Sequence, residues 1–443
     1  MSTTASESTR GLTTGQHPMA WRVVGLLTLA NILNFYDRTI PSIVAEPIRE
    51  EFGMSDTQLG LLMSGFTVMY AVAGIVLGRM ADRRSRRLIM AVGLIVWSVL
   101  TAASGGAWSF ASLLIVRLGV GIGEASYAPA ANSTIADLFP SAKRSRAIAI
   151  FQLGVPIGLL IAFFTTGAIV EAFDSWRAPF FIAAVPGLVV AFFILRMPEP
   201  TRGASDAQVH GAPLTAPIRH VLGVRTIWWL ALAGVGLQVI SYSMATFLVP
   251  LMQRYFGMEL TGASMAAGLV LGVAGLVGLL VGGPLADRAR LRSARARLNV
   301  GLVGAIVSLP IVVIAFRLSS EQGILFVTLL SVTAVFANFF HVTALPAVAE
   351  VVDPRARSSA VAVFFAAFYL LGGAFGPVIV GALSDHFAGT AVAAGGLSTE
   401  AIGLHTSLTW ILPIAFAVLA LGGWLATRTI EADHERADAG AGA

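Results

Sequence analysis

Four ionisable residues stand where the surrounding sequence is apolar. Asp37 and Arg38 fall in a run that begins near residue 20, and Arg117 and Glu124 fall in another that begins near residue 109. A charge in hydrocarbon costs about 2.5–3.5 kcal/mol on insertion scales, so such groups are expected to pair and to carry function. On a helix, the seven-residue spacing of Arg117 and Glu124 puts them on one face, about 10.5 Å apart along the axis. Asn31, Asn34 and Arg38 likewise share a face of the other helix. Burial favours the protonated carboxyl and a neighbouring arginine favours the carboxylate. A carboxyl that exchanges an arginine partner for a dry wall therefore takes up or releases a proton as conformation changes. Asp37 and Glu124 are the candidate proton carriers, with Asn34, Arg38 and Arg117 as the charge network around them. The competing reading is that Asp37–Arg38 and Arg117–Glu124 are static pairs that stabilise the helices.

The second half of the chain places no such charges inside its apolar runs. It offers Gln238, Ser241, Tyr242, Ser243 and Thr246 in one run and Asn338 and His341 in another. Gln238, Asn338 and His341 are the substrate-contact candidates there, and this half is expected mainly to shape a cavity.

Other chemistries are excluded or unsupported. The chain has no cysteine, which removes disulfides, thiolate metal sites and a cysteine nucleophile. Its one lysine, Lys143, is followed by Arg144, so a phosphate-binding GxxxxGK[ST] loop is missing. Gly119, Gly121 and Gly123 lie in an apolar run and read as close helix packing rather than a nucleotide loop. The histidines show no metal spacing. No metal, cofactor or nucleic-acid partner is expected, and the basic balance fits a membrane surface better.

Positioning these residues requires a membrane. Of the 443 residues 56% are hydrophobic and 12% charged, about half the charge of a soluble chain. A spanning helix needs about 20 apolar residues. Twelve such runs can be marked, at 20–45, 57–80, 88–106, 109–131, 146–170, 178–197, 226–251, 262–283, 298–317, 323–347, 359–383 and 406–428. Ser55 with Gln58 fits a capping box that starts the second. The expected organisation is a disordered tail at 1–19, a six-helix bundle at 20–197, a linker at 198–225, a second six-helix bundle at 226–428, and a disordered tail at 429–443. Most arginines lie in alternate loops, including Arg83, Arg84, Arg86 and Arg87, Arg144 and Arg146, and Arg288, Arg290 and Arg292; few, among them Arg49, Arg177, Arg254 and Arg317, lie opposite. The positive-inside rule then assigns both termini to the cytoplasm.

The two halves repeat. Gly78-Arg-Met-Ala-Asp82-Arg83 closes the second span and Gly283-Pro-Leu-Ala-Asp287-Arg288 the eighth. Ala136-Asp137 through Arg144-Ser145 aligns without gaps on Ala349-Glu350 through Arg357-Ser358. Duplicated halves are a common way for transporters to build one site that opens to each side alternately.

The run Gly78–Arg87, with its second copy at Gly283–Arg292, resembles the signature of the major facilitator superfamily. The resemblance covers nearly the whole chain, although the second copy has its later arginines shifted. It implies an all-α membrane protein of twelve transmembrane helices in two pseudo-symmetric six-helix bundles. It also implies a gate built from Gly78, Asp82, Arg83 and Arg86, repeated at Gly283, Asp287 and Arg288, with Asp82 meeting the start of the eleventh helix near Ser358. A narrower resemblance rests on Asn34-Phe-Tyr-Asp37-Arg38 and on Gly123-Glu124-Ala125-Ser126-Tyr127. These look like the Spinster branch, whose members transport lysolipids and sphingolipid phosphates, and they add Tyr127 to the candidate network.

The expected function is a proton-coupled secondary transporter, not an enzyme. It would move a small amphiphilic, lysolipid-like substrate by alternating access, as a monomer among membrane lipids. The alternatives are an organic-anion/proton symporter, with Arg38 and Arg117 on a carboxylate, a drug exporter, or a non-transporting membrane receptor or scaffold.

Overall fold

The computed structural model describes residues 18–81, 83–201, 221–353 and 356–441. Among these residues it is helical almost throughout, and twelve helices are long and apolar enough to cross a membrane. They are Met19–Ile43, Asp56–Ala81, Arg86–Gly105, Phe110–Leu138, Lys143–Phe173, Ala178–Arg196, Arg225–Arg254, Leu260–Arg290, Ala294–Ala315, Ser320–Glu350, Ser359–Thr390 and Thr399–Ala437. Each coincides with one of the twelve expected runs. Most are longer, because polar ends that hydropathy discounts still complete helical turns. Ser55 and Gln58 form the expected reciprocal cap, the Gln58 amide N–H donating to Ser55 Oγ at 3.3 Å and Ser55 N–H to Gln58 Oε1 at 3.0 Å.

The C-terminal tail corrects the sequence reading. Helix continues through Ala441 rather than ending near 428 in a disordered segment. The reason is a cap: the buried Asp433 carboxylate accepts from the Thr226 amide at 2.9 Å and from its hydroxyl at 2.8 Å, at the start of the seventh span. The Glu350 carbonyl also lies 3.0 Å from His434 Nδ1. Hydropathy fades there, but tertiary hydrogen bonds hold the extra turns. Most of the 1–19 tail and of the 198–225 linker lies outside the described residues.

Two compact units emerge from the packing. One comprises residues 1–40, 69–162 and 173–211, the other 41–68, 163–172 and 212–443. This division crosses the expected six-and-six boundary, because one end of the first two spans and part of the fifth pack with the second half.

The repeat read from sequence is repeated in bonding. Arg144 Nη2 donates to the Ala136 carbonyl at 2.9 Å, and Arg357 Nε to the Ala349 carbonyl at 3.0 Å. Both bonds close the turn between consecutive spans. The paired acids match as well: Asp137 takes buried Arg86, while Glu350 takes Arg290 at 3.1 Å and buried Arg297. The arginine shift that makes the second motif look degenerate thus leaves its ion pair intact.

Candidate functional site

In the first unit the four charges converge. Arg38 donates through Nε at 3.1 Å and Nη2 at 2.9 Å to one oxygen of Glu124, whose side chain is fully buried. The Arg38 guanidinium also lies 4.5 Å from the Tyr70 ring centroid and 4.9 Å from that of Phe35. Asn34 borders Glu124, and Arg117 interacts with both Glu124 and Asp37. Asn34, Asp37, Arg117 and Glu124 are all buried. The four charges expected to converge do lie together, and Glu124 is hydrogen-bonded by Arg38 across helices, with Arg117 on its own helix as a further neighbour.

Asp37 is the least satisfied member. Neither of its oxygens accepts a well-formed hydrogen bond among the described residues. Its polar neighbours are Trp97 and Thr101 of the third span, both buried and facing the carboxyl without closing a well-formed hydrogen bond. A poorly satisfied acceptor in a dry site is costly. Trp97 and Thr101 escape sequence reading because a tryptophan or threonine in an apolar run is ordinary.

Local structure explains the positions. The fourth span breaks at Ser126, whose hydroxyl donates back to the Gly123 carbonyl at 2.7 Å. Glu124 therefore sits at the end of the helix Phe110–Ala125, before a second helix, Tyr127–Leu138, begins. Gly123 makes this possible: a Cβ there would lie 3.0 Å from the Trp97 backbone nitrogen, so the third and fourth spans meet almost backbone to backbone. The glycine run is a packing seam, as expected.

Tyr127 is not among the charges. Its hydroxyl donates to the Leu27 carbonyl, and its buried ring packs edge-on to Trp97 with centroids 5.7 Å apart. It is a strut between the first and fourth spans.

In the second unit the candidates separate. Asn338 Nδ2 bonds its own helix at the Ala334 carbonyl, 2.8 Å away, and lies against Gly275 and Gly278 of the eighth span. Gln238 is buried against Gly372, inside a widened π-turn at Tyr369–Ala374. His341 is different. It is exposed and lines a small cavity of about 70 Å³ with Phe340, Phe364, Phe365 and Phe368. Of the gate candidates, Asp82 lies outside the described residues; Arg83, Asp287 and Arg288 are exposed, and Arg86 is buried on Asp137. No group of three metal-ligating side chains occurs among the described residues.

A further cluster was not singled out in the sequence. In the second unit Arg254 bridges Glu46 at 2.6 Å and both oxygens of Asp56 at 2.9 Å. Asp385 accepts from the Asp56 and Thr57 amides. Charges at span ends are unremarkable in sequence, and these partners are up to 329 positions apart.

Comparison with known proteins agrees with this architecture. A major facilitator superfamily match spans residues 27–377. The chain is 31% identical over 379 residues to an MFS-type efflux pump of Mycolicibacterium smegmatis, covering 83% of this chain and 85% of that one. It is 28% identical over 383 residues to the sphingosine-1-phosphate transporter SPNS2 of Mus musculus, covering 81% and 69%. The crystal structure of a bacterial homologue of the human lysosomal transporter Spinster, in an inward-facing and unoccupied conformation, superposes with a TM-score of 0.86. That match covers 95% of this chain and 99% of that one at 28% identity. With its twelve spans, duplicated halves and these relatives, the chain belongs to the major facilitator superfamily of membrane transporters, close to the Spinster branch.

Proposed function

We propose that the chain is a proton-coupled transporter of a single-chain amphiphile with a charged head, such as a lysophospholipid, working by alternating access. The observation that carries the proposal is the ion pair between partly exposed Arg38 and buried Glu124, beside the buried Asp37 carboxyl, which lies against Trp97 and Thr101 without a well-formed hydrogen bond. Such a group supports coupling because protonation of either carboxyl changes which arginine contacts are favourable. A substrate's anionic head can compete for Arg38, which keeps 23% of its side chain exposed. Release of Arg38 then favours protonation of Glu124.

The lipid-like half of the proposal is supported by the phenylalanine-lined cavity around His341 in the second unit and by likeness to the sphingosine-1-phosphate transporter SPNS2. The same network can hold a carboxylate, so an organic-anion/proton symporter is the competing reading, and an exporter of drug-like amphiphiles fits the relative described as an efflux pump. The reading also holds both termini on the cytoplasmic side, which the arginine distribution supports.

The test is transport by purified protein in liposomes, with lysophospholipids and dicarboxylates compared with and without a pH gradient. Gradient-dependent movement of lysolipid is expected. Dicarboxylate movement alone transfers the assignment to the symporter reading.

A further inference from the structure

The eleventh span carries a third copy of the gate spacing, Gly381-Ala-Leu-Ser-Asp385, which matches Gly78-x-x-x-Asp82 and Gly283-x-x-x-Asp287. It lies near the C-terminal end of its span, at the membrane face where the second span begins. We propose that this third copy is a latch for that face, the inverted counterpart of the Gly78–Asp82 motif, and that it must release before a path can open there.

Its geometry is that of a carboxylate clamped on a helix start. Asp385 Oδ1 accepts the Asp56 amide at 2.9 Å and Oδ2 the Thr57 amide at 2.9 Å, while the Thr57 hydroxyl donates to Oδ2 at 2.5 Å. Free N–H groups and the helix dipole make this a favourable seat for an anion. The glycine brings the helices close enough: a Cβ on Gly381 would lie 2.6 Å from the Asp56 carbonyl carbon and 2.9 Å from the Thr57 nitrogen. One turn along the second span, Gly60 approaches the Pro377 backbone as closely. Two neighbouring bonds reinforce the clamp. Ser384 Oγ donates to Asp56 at 2.6 Å, and Arg254 ties Asp56 to Glu46 on the helix Ala45–Phe52. The seventh and eleventh spans are thereby both fastened to the start of the second.

The contrast with the other two copies separates a latch from a static cap. A Cβ on Gly283 would meet nothing within 4 Å, and one on Gly78 only Pro129 Cβ at 3.9 Å. Of the three glycines, Gly381 alone is packed directly against the backbone of another span. Polar bonds at a water-facing rim suit repeated breaking, because water replaces them when they part.

The inference rests on alternating access but not on substrate or proton coupling, so its readout is thiol reactivity rather than transport. The chain has no cysteine, and single reporters can be placed directly. Ser64→Cys, buried one turn beyond Gly60, reports the latched face; Leu345→Cys, on the cavity wall of the tenth span, reports the opposite one. Asp385→Ala is expected to raise the reaction of Ser64→Cys with a membrane-impermeant maleimide and to lower that of Leu345→Cys. The ratio should move by about two- to thirtyfold, the range set by loss of a helix cap. Asp385→Asn, which keeps one acceptor and the side-chain shape, should move both in the same directions by less. It keeps the test decisive if the alanine variant does not fold. Faster reaction of Ser64→Cys without slowing of Leu345→Cys means local fraying and overturns the latch, as does no change at either reporter.

Discussion

At the residue scale, two carboxyls and two arginines stand inside apolar spans, all but Arg38 buried. Their identity was legible in the sequence, because an ionisable residue inside a hydrophobic run is costly enough to need a purpose. Their pairing was not. Helical spacing relates Arg117 to Glu124, but only tertiary packing brings Arg38 to Glu124 from another helix, 86 positions away. The unmet oxygens of Asp37 and their neighbours Trp97 and Thr101 were also invisible, since hydrogen-bond deficits are properties of packing. If this group couples transport to protons, Glu124→Gln and Asp37→Asn should each abolish pH-gradient-driven movement while leaving the protein folded. Each exchange removes a titratable oxygen and keeps size and shape. Uptake into proteoliposomes under an imposed pH gradient checks this, and two variants with unaltered pH dependence would establish the static-pair reading. Arg38→Lys should also lose most activity, because an ammonium cannot reproduce the two-nitrogen grip on Glu124; wild-type rates in that variant would remove Arg38 from the mechanism.

At the element scale, length and apolar runs sufficed for twelve helices, and the aligned segments at Arg144 and Arg357 prove to carry matching bonds. What the sequence concealed were the helix ends. The segment 429–443 carries the polar composition of a disordered tail, yet Asp433 is buried because it supplies the cap for the seventh span. Replacing it leaves the buried Thr226 N–H without its acceptor, while the hydroxyl keeps Thr429, at a cost of about 1–3 kcal/mol. Asp433→Ala should therefore lower the thermal midpoint of the purified protein measurably, and truncation after Arg428 should lower it at least as far. An unchanged midpoint in both would mean that the extra helical turns carry no stability. The same economy explains Tyr127, whose place in a family-like string suggested a site role but whose hydroxyl serves the Leu27 carbonyl.

At the scale of the whole molecule, two properties can be tested without atomic detail. The first is sidedness: the proposal that both termini are cytoplasmic rests on arginines concentrated in alternate loops, so a reporter fused after Ala443 should read as internal, and an external reading overturns the topology. The second is the match between substrate and protein. The first unit supplies charge at Asp37, Arg38, Arg117 and Glu124, and the second supplies a phenylalanine-lined cavity at Phe340, Phe364, Phe365 and Phe368. Burial of a chain contributes about 0.8 kcal/mol per CH₂, so affinity across a lysophospholipid series should rise about fourfold per added methylene until the apolar space is filled, then level off. Leaving the bilayer costs a similar amount per CH₂, which makes the gain visible in detergent, with its background subtracted, rather than in membranes. Phe364→Ala enlarges the cavity and should move the plateau to longer chains. Affinity that ignores chain length, together with tight binding of a short dicarboxylate, would instead make the Arg38 network the whole of the substrate site and the chain an organic-anion symporter.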